Sequence, residues 1–431
     1  MLKRFSPRIA DAAGLPAHQL AGLKWTVGHA ISNSPFYRER LLAAGVTPES
    51  ITSLADLRRL PFTTADDLAA DYPFGFRSAP FTEVVRIHAS SGTTGKRKIL
   101  CYTGKDLDDW QEMFARCFEM AGLSREDRVQ IAVGYGLWTA GTGFQLGCER
   151  FGAMAIPVGP GNLELQIAFL MDLKATVFCC TASMGLLLAE EVHRRGLRGK
   201  LSLKKVILGA ERSSDTMLNT IRAYLGVNEI YDIPGLTEVY GPGIGLSCSA
   251  NQGIHYWADY YIMELLDPET LEPVPPGGIG EMVYTTLAKE GAPLIRYRSR
   301  DLTRLVQSDC PCGCWLPRHD RILGRSDDVV IFRGVNIYPG QLDEILHGVD
   351  GIGSEYQVLF DHGDDGRDYM LVRIERSKEA GALTDVDVGK RIVTAVKHTL
   401  LVTCSVELAE HGSLPRSERK TKRVFDNRRF E

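Results

Sequence analysis

Residues Glu229 to Gly243 read EIYDIPGLTEVYGPG, and the fold follows from this stretch. Its first five residues, Glu229–Ile233, have the composition of a β-strand, and Pro234-Gly235 end it. What comes next sets a hydroxyl, Thr237, beside a carboxylate, Glu238, just past the carboxyl end of that strand. In α/β sheets that end is where ligands bind. Further upstream, short β-rich runs at Val129–Val133, Ala153–Val158, Ala175–Cys180 and Lys205–Leu208 alternate with Leu163–Leu173, Met184–Arg195 and Asp215–Leu225. The latter three place apolar residues at helical spacings of three and four. Such alternation predicts βαβ units around a largely parallel sheet. The chain before about residue 85 reads as mostly helical, with breaks at Asn33-Ser34-Pro35 and Leu60-Pro61.

Downstream, Thr270, Pro273, Pro275, Pro276, Gly277, Gly278 and Gly280 form a turn-rich link. It leads into the alternating runs Glu281–Thr286 and Leu294–Leu305, expected as antiparallel strands. Another boundary falls at Arg325-Ser326-Asp327-Asp328. Beyond it the pattern predicts strand Val329–Arg333, helix Gly340–Leu346, strands Tyr356–Asp361 and Tyr369–Glu375, helix Asp387–Leu400 and strand Cys404–Leu408. That is an α+β unit of about a hundred residues, the size of a small domain. The expected division is 1–325 and 326–431.

Chemistry is concentrated in a few segments. Ser90 to Leu100, SSGTTGKRKIL, sets four hydroxyls (Ser90, Ser91, Thr93, Thr94) and two glycines (Gly92, Gly95) before Lys96. Backbone N–H groups, hydroxyls and one ammonium in such a loop suit a phosphate chain. It is not a Walker loop, which needs four residues between its glycines and a Lys-Ser/Thr ending. Tyr297 to Leu305, YRSRDLTRL, places Asp301 among arginines, where it can accept from both hydroxyls of a ribose or form a structural ion pair. Gly134 to Phe144, GYGLWTAGTGF, mixes aromatics with small residues after a predicted strand. Cys310, Cys312 and Cys314, beside Pro311 and Gly313, have the look of a metal knuckle.

Taken together, the Ser/Thr/Gly loop, GLTEVYGPG, HYWADYY (255–261), LIRYRSRDLTRL (294–305), CPCG (310–313) and GRSDDVVIFRGVNIYPGQLDEIL (324–346) resemble the adenylate-forming acyl-CoA synthetase superfamily. The phenylacetate–coenzyme A ligase group matches best, from about residue 20 to the end. The resemblance implies an α/β fold. Its large N-terminal domain would hold parallel and mixed sheets with helices plus a small distorted β-barrel, and a small mobile C-terminal α+β domain would follow. It also implies a two-step reaction, in which ATP and an aromatic acid give an acyl adenylate and pyrophosphate, after which coenzyme A displaces AMP. An enzyme handing the aryl group to a carrier protein or an amine shares the first half-reaction and stands as the alternative.

Carried over by motif, Ser90–Lys96 would hold the phosphates, Thr237 would touch phosphate and Glu238 would bind Mg²⁺. Gly209, Ala210 and Glu211 would line the adenine pocket with Asp232, Ile233, Pro234 and Gly235, and Pro234 stands where relatives usually carry an aromatic. Asp301 would bind the ribose and Arg325 would lie near the α-phosphate. Asp327 would be the hinge, Lys420 the catalytic lysine, and Arg333 and Gly334 would meet coenzyme A. Tyr135, Trp138, Gly141 and Phe144 would line the acyl pocket. A structural zinc is expected on Cys310 and Cys312 with Cys248 and His255, with Cys314 as a substitute for Cys248 or a free thiol.

Composition agrees with a globular enzyme. The 431 residues carry 50 Lys+Arg against 54 Asp+Glu, a net charge of −4, and are 44% apolar. No concentrated basic excess marks a nucleic-acid footprint, and the basic run Arg416 to Arg429 reads mainly as solvated around one catalytic lysine. The N-terminus MLKRFSPRIADAAG has no apolar run after its basic residues, and no stretch approaches about 18 apolar residues. Neither secretion nor membrane insertion is expected, so the reading is cytoplasmic. A homodimer and a carrier-protein partner stay open.

Overall fold

A computed structural model describes residues 9–70, 72–90, 97–363, 367–377, 383–415 and 422–428. In chain order its elements begin with α1 (Leu15–Asn33), α2 (Pro35–Ala43), α3 (Ala65–Ala70), β1 (Val84–Ala89), β2 (Ile99–Thr103), α4 (Gly104–Met120), β3 (Arg128–Ile131), α5 (Ala140–Phe151) and β4 (Met154–Ile156). There follow α6 (Leu163–Asp172), β5 (Val177–Thr181), α7 (Ala182–Arg194), β6 (Lys205–Gly209), α8 (Asp215–Leu225), β7 (Glu229–Ile233), β8 (Gly235–Leu236) and β9 (Gly241–Pro242). Then come β10 (Gly245–Ser247), β11 (Ile254–Tyr256), β12 (Tyr261–Leu266), β13 (Gly280–Thr286), β14 (Tyr297–Thr303), β15 (Leu305–Val306), β16 (Arg318–His319) and β17 (Gly324–Arg325). The last elements are β18 (Val330–Phe332), β19 (Val335–Ile337), α9 (Pro339–His347), β20 (Ile352–His362), β21 (Asp368–Arg376), α10 (Asp385–Leu400), β22 (Ser405–Ala409) and β23 (Val424–Asp426). No helix among the described residues is long and apolar enough to cross a membrane.

The chain forms two compact units. The first comprises the chain up to Cys180 with Leu201–Ala210 and Glu229–Ile322. At its centre is a five-stranded sheet in the order β4-β3-β5-β6-β7, with β3 parallel to β4 and β5, and β6 parallel to β7. Strands β5 and β6 are wholly buried, which explains their unbroken apolar runs and makes Cys179 and Cys180 core thiols. Helix α4 crosses α5 at close range, because a Cβ at Gly147 would lie 2.2 Å from the Phe114 Cβ. Two antiparallel arrays complete the unit, β10-β11-β16-β15 and β12-β13-β14. The sequence break at Asn33-Ser34-Pro35 is a helix junction. The Ser34 hydroxyl accepts the Tyr37 N–H and Pro35 opens α2.

The second unit takes Thr181–Lys200, Glu211–Asn228 and the chain from Leu323. Its sheet, β22-β21-β20-β23, is mixed, with β20 antiparallel to β21 and the outer strands parallel to their neighbours. Phe332, Val358, Phe360, Val372, Ile374, Ile392 and Val396 are fully buried and form its core.

Three expectations needed correction. The run Leu294–Leu305 is a strand only from Tyr297, because Arg296 takes a φ of 44° and its guanidinium grips Glu264 at 3.0 Å through two nitrogens. The run Val329–Arg333 is half of a hairpin, β18 and β19, closed by Arg333 and Gly334, both at positive φ (51° and 79°). That is the two-residue turn whose twist suits paired strands. The basic C-terminal run is only partly solvated. Arg428 is 5% exposed, held by Asp368 and Asp426 at 2.6 and 2.7 Å, and β23 adds to the sheet beside β20.

Candidate active site

The site is built on the carboxyl ends of β6 and β7. Gly209 closes β6, where a Cβ would meet the Ile233 carbonyl oxygen at 2.8 Å, so only glycine lets the two strand ends approach. Ala210 follows at φ 67°, exposed at the turn out of the sheet. On β7, the Asp232 N–H donates to the Ser247 hydroxyl, and desolvation, opposed by Arg321, pushes the Asp232 carboxyl up to about 6. Ile233 and Pro234 are buried, and the Pro234 carbonyl accepts the Gly243 N–H at 3.1 Å. A Cβ at Gly235 would lie 2.3 Å from the Pro242 Cα, so β8 and β9 close around a bare backbone.

Between β8 and β9 stands the turn bearing Thr237 and Glu238, both less than 10% exposed. The Thr237 hydroxyl lies 3.4 Å from that of Thr139, and Glu238 Oε1 accepts from Lys98 Nζ at 3.0 Å. Lys98, which the sequence reading did not single out, is the ammonium seen on Glu238, while Lys96, expected at the phosphates, lies outside the described residues. The available signal was a second lysine, Lys98, immediately before the apolar run that forms β2. Residues Ser91–Lys96 lie outside the described residues, as does Lys420. Ser90 is described. Its N–H donates to the Lys98 carbonyl at 3.1 Å and its hydroxyl accepts the Lys98 N–H at 3.2 Å, which pins the two ends of the loop together between β1 and β2.

Asp301 lies on β14, its N–H donating to the Ser299 hydroxyl. The flanking arginines reach elsewhere. Arg298 grips the buried Glu281 through two nitrogens at 3.0 and 2.7 Å, and Arg300 lies 3.6 Å from the same carboxylate. In the segment Gly134 to Phe144, the Gly141 N–H donates to the Gly134 carbonyl at 2.8 Å. Both glycines make room for rings, since a Cβ at Gly141 would lie 2.5 Å from Tyr135 and one at Gly134 2.8 Å from Trp138. Tyr135 and Trp138 are half-buried, whereas Phe144 packs in the core against Phe114 at 5.0 Å. The Tyr135 hydroxyl and His88 Nε2 are buried with no hydrogen-bond partner among the described residues.

The remaining candidates belong to the second unit. Glu211 accepts the Ser183 N–H at 2.9 Å in the first turn of α7, where a carboxylate complements the helix dipole. The Arg325 guanidinium is held by Asp327 through two bonds of 2.8 and 2.7 Å. Arg333 donates to the Thr403 hydroxyl and the Asp368 carbonyl from its hairpin turn beside Gly334.

Cys248, His255, Cys310 and Cys312 converge so that their ligand atoms all lie within 4.8 Å of one another. Cys248 Sγ is 3.4 Å from Cys310 Sγ, and Cys312 Sγ is 3.4 Å from His255 Nε2. His255 Nδ1 donates to the Leu316 carbonyl at 2.8 Å, so Nε2 presents its lone pair to the thiols. Three sulfurs and one imidazole at this spacing fit a tetrahedral zinc. Cys314 takes part through its backbone, its N–H directed at Cys312 Sγ.

Comparison with known proteins gives these residues a setting. Residues 77–287 match the AMP-binding enzyme family and residues 334–428 match the AMP-binding enzyme C-terminal domain. A parallel sheet with a Thr-Glu turn at its carboxyl end, within those matches, defines an AMP-binding, adenylate-forming enzyme. The chain is 40% identical over 425 residues to phenylacetate-coenzyme A ligase of Escherichia coli K12, covering 97% of this chain and 96% of that one. The corresponding enzyme of Pseudomonas putida is 38% identical over 428 residues, at 97% and 95% coverage. A 2-hydroxyisobutyryl-CoA ligase solved with 2-HIB-AMP in the postadenylation state aligns with a TM-score of 0.89 and 29% identity over 99% of this chain and 92% of that one. The chain belongs to the phenylacetate–coenzyme A ligase family and is an AMP-forming acid–thiol ligase.

Proposed function

We propose that the enzyme activates an aromatic carboxylic acid with ATP and transfers the aryl group to coenzyme A. The observation that carries this is the Thr237–Glu238 turn with Lys98 upon it, at the end of β7, in a chain with full-length likeness to phenylacetate-coenzyme A ligases. In the first step an oxygen of the acid attacks the α-phosphorus of ATP, and the bond to the β-phosphate breaks to release pyrophosphate. Two anions must meet, so the site needs donors and cations already in place. The Thr237 hydroxyl donates to phosphate, Lys98 adds a cation, and the Ser90–Lys96 loop wraps the chain of phosphates. Glu238 would hold Mg²⁺, which screens phosphate charge when bound.

Gly209, Ala210, Asp232, Ile233, Pro234 and Gly235 receive adenine, and Asp301 receives the ribose hydroxyls. Tyr135, Trp138 and Gly141 shape a flat aromatic site whose floor includes Phe144. In the second step the coenzyme A thiolate attacks the acyl carbon and AMP departs. Lys420 serves the first step alone, the segment from Asp327 is the hinge of a mobile domain spanning 326–431, and Arg333 and Gly334 face the second state. Cys248, His255, Cys310 and Cys312 would hold a structural zinc, the four protein ligands being the set such a site needs. The reading places the enzyme in the cytoplasm.

Pyrophosphate exchange across phenylacetate, indoleacetate, benzoates and aminobenzoates tests the first step. Lys420→Ala is expected to lower exchange by orders of magnitude, while thioester formation from a preformed adenylate falls far less. Failure of every acid, or a Lys420→Ala enzyme that adenylates like wild type, would refute the mechanism. Supplying coenzyme A, a carrier protein and free amines in turn identifies the acceptor.

A further inference from the structure

Lys289 lies between β13 and β14 and is 0% exposed. Its ammonium makes no ion pair with any carboxylate among the described residues. Instead Nζ donates to the Glu238 and Val239 carbonyls at 3.1 and 2.6 Å, with the rings of Tyr102 and Tyr240 each 4.9 Å away. The Tyr102 hydroxyl lies 3.2 Å from the Thr237 carbonyl and 2.9 Å from that of Tyr240. Four successive carbonyls, 237 to 240, are therefore taken by two buried side chains. With the backbone turned down onto this floor, the orientation of Thr237 and Glu238 is set from beneath.

The floor is itself rigid. The buried Asp106, near the start of α4, accepts the Glu290 and Gly291 N–H groups at 2.8 Å each, and Lys105 donates to the Ala288 carbonyl at 2.8 Å. A Cβ at Gly291 would lie 2.4 Å from the Cys101 carbonyl oxygen, so the segment is seated tightly against β2. Burying an ammonium without a carboxylate is costly, and such a group is retained where charge or fixed geometry is needed.

We propose that Lys289 is a positioning residue for adenylation: with Tyr102 it anchors the Thr237–Tyr240 turn and places a buried ammonium under the residues that meet the ATP phosphates. The inference rests on the functional reading above and goes beyond it, since Lys289 touches no substrate. Burial lowers the Lys289 ammonium to about 8, against the pull of Asp106 and Glu238. The other groups facing it are Asp106 of α4, Glu238 and Tyr240 of the turn, Cys101 and Tyr102 of β2, and His88 of β1. Burial pushes Cys101 and Tyr102 upward and holds His88 down near 4.

The test compares wild type with Lys289→Met, Lys289→Arg and Tyr102→Phe. In Lys289→Met, kcat for pyrophosphate exchange is expected to fall about 10–100-fold, with KM for the acid within about twofold. Hydrogen exchange of the 236–243 amides, measured without substrates, is expected to quicken locally in Lys289→Met and Tyr102→Phe. Lys289→Arg, which keeps a cation and N–H donors at this place, is expected to retain more of the exchange than Lys289→Met. Unchanged amides together with wild-type exchange in Lys289→Met would overturn the proposal. Should that variant not fold, a Tyr102→Phe enzyme with unchanged amides and wild-type exchange would overturn it instead. Loosened amides in a chain for which no acid supports exchange would sink the catalytic reading and leave the anchor standing.

Discussion

Asp232 is a residue with opposed demands. Its carboxyl, raised to about 6 by desolvation, is held in a place that disfavours the ionised form. The native state thus binds the proton more tightly than the unfolded chain, whose carboxyl titrates near 3.8. Stability tied to this group is therefore lost as pH rises from about 4 to 6, and the penalty persists at neutral pH. By linkage it amounts to on the order of 2–3 kcal/mol. Asp232→Asn is expected to raise unfolding free energy by up to that amount at pH 8 and by nothing at pH 4, while KM for ATP increases. Equal gains at both pH values in urea titrations would refute the account. The composition of a strand does not reveal that one of its acids is desolvated.

At the scale of elements, the grouping of Cys248, His255, Cys310 and Cys312 shows how short pairings assemble a candidate metal site. Antiparallel β10 and β11 bring Leu246 opposite His255, which sets Cys248 near the imidazole, and β16 pairs with β11 to return the loop that carries Cys310 and Cys312. Purified wild type is expected to carry about one zinc per chain, and Cys312→Ser to lose it with a lowered thermal midpoint. Elemental analysis decides the matter, since a metal-free wild type would end the idea. The two cysteines of the CPCG motif were legible because two ligands stand within three residues. Choosing Cys248 over Cys314 required the register of β10 and β11, because both thiols lie within reach in the sequence and only the Cys248 sulfur joins the four converging ligand atoms.

At the scale of the molecule, one chain must serve two reactions with one nucleotide site. Under the proposed hinge, Asp327 is where backbone torsions would change between them. In the present structure its carboxylate is clasped by Arg325. Asp327→Pro fixes φ near −65° and removes an N–H, which restricts such a change. Pyrophosphate exchange is expected to stay within about threefold of wild type while thioester formation from preformed adenylate falls at least about tenfold. Equal loss in both half-reactions would show that residue 327 is not a hinge. Glu211 carries a further lesson at this scale. Expected along the adenine pocket, it has its carboxylate on the Ser183 N–H at the start of α7, a partner 28 positions away in the chain.

Sequence alone determined the alternation of strands and helices and the family, and it placed a Thr-Glu pair just past Glu229–Ile233. Those features rest on local composition and on the spacing of short motifs, which survive without knowledge of contacts. Tertiary structure decided which cation meets Glu238, where the arginines around Asp301 are spent, and which side chain underlies the Thr-Glu turn. Lys98 and Glu238 are 140 positions apart, and Lys289 lies about 50 from the carbonyls it holds. Their pairing follows from burial, since an ammonium or a carbonyl removed from water must find its partner wherever the fold brings one.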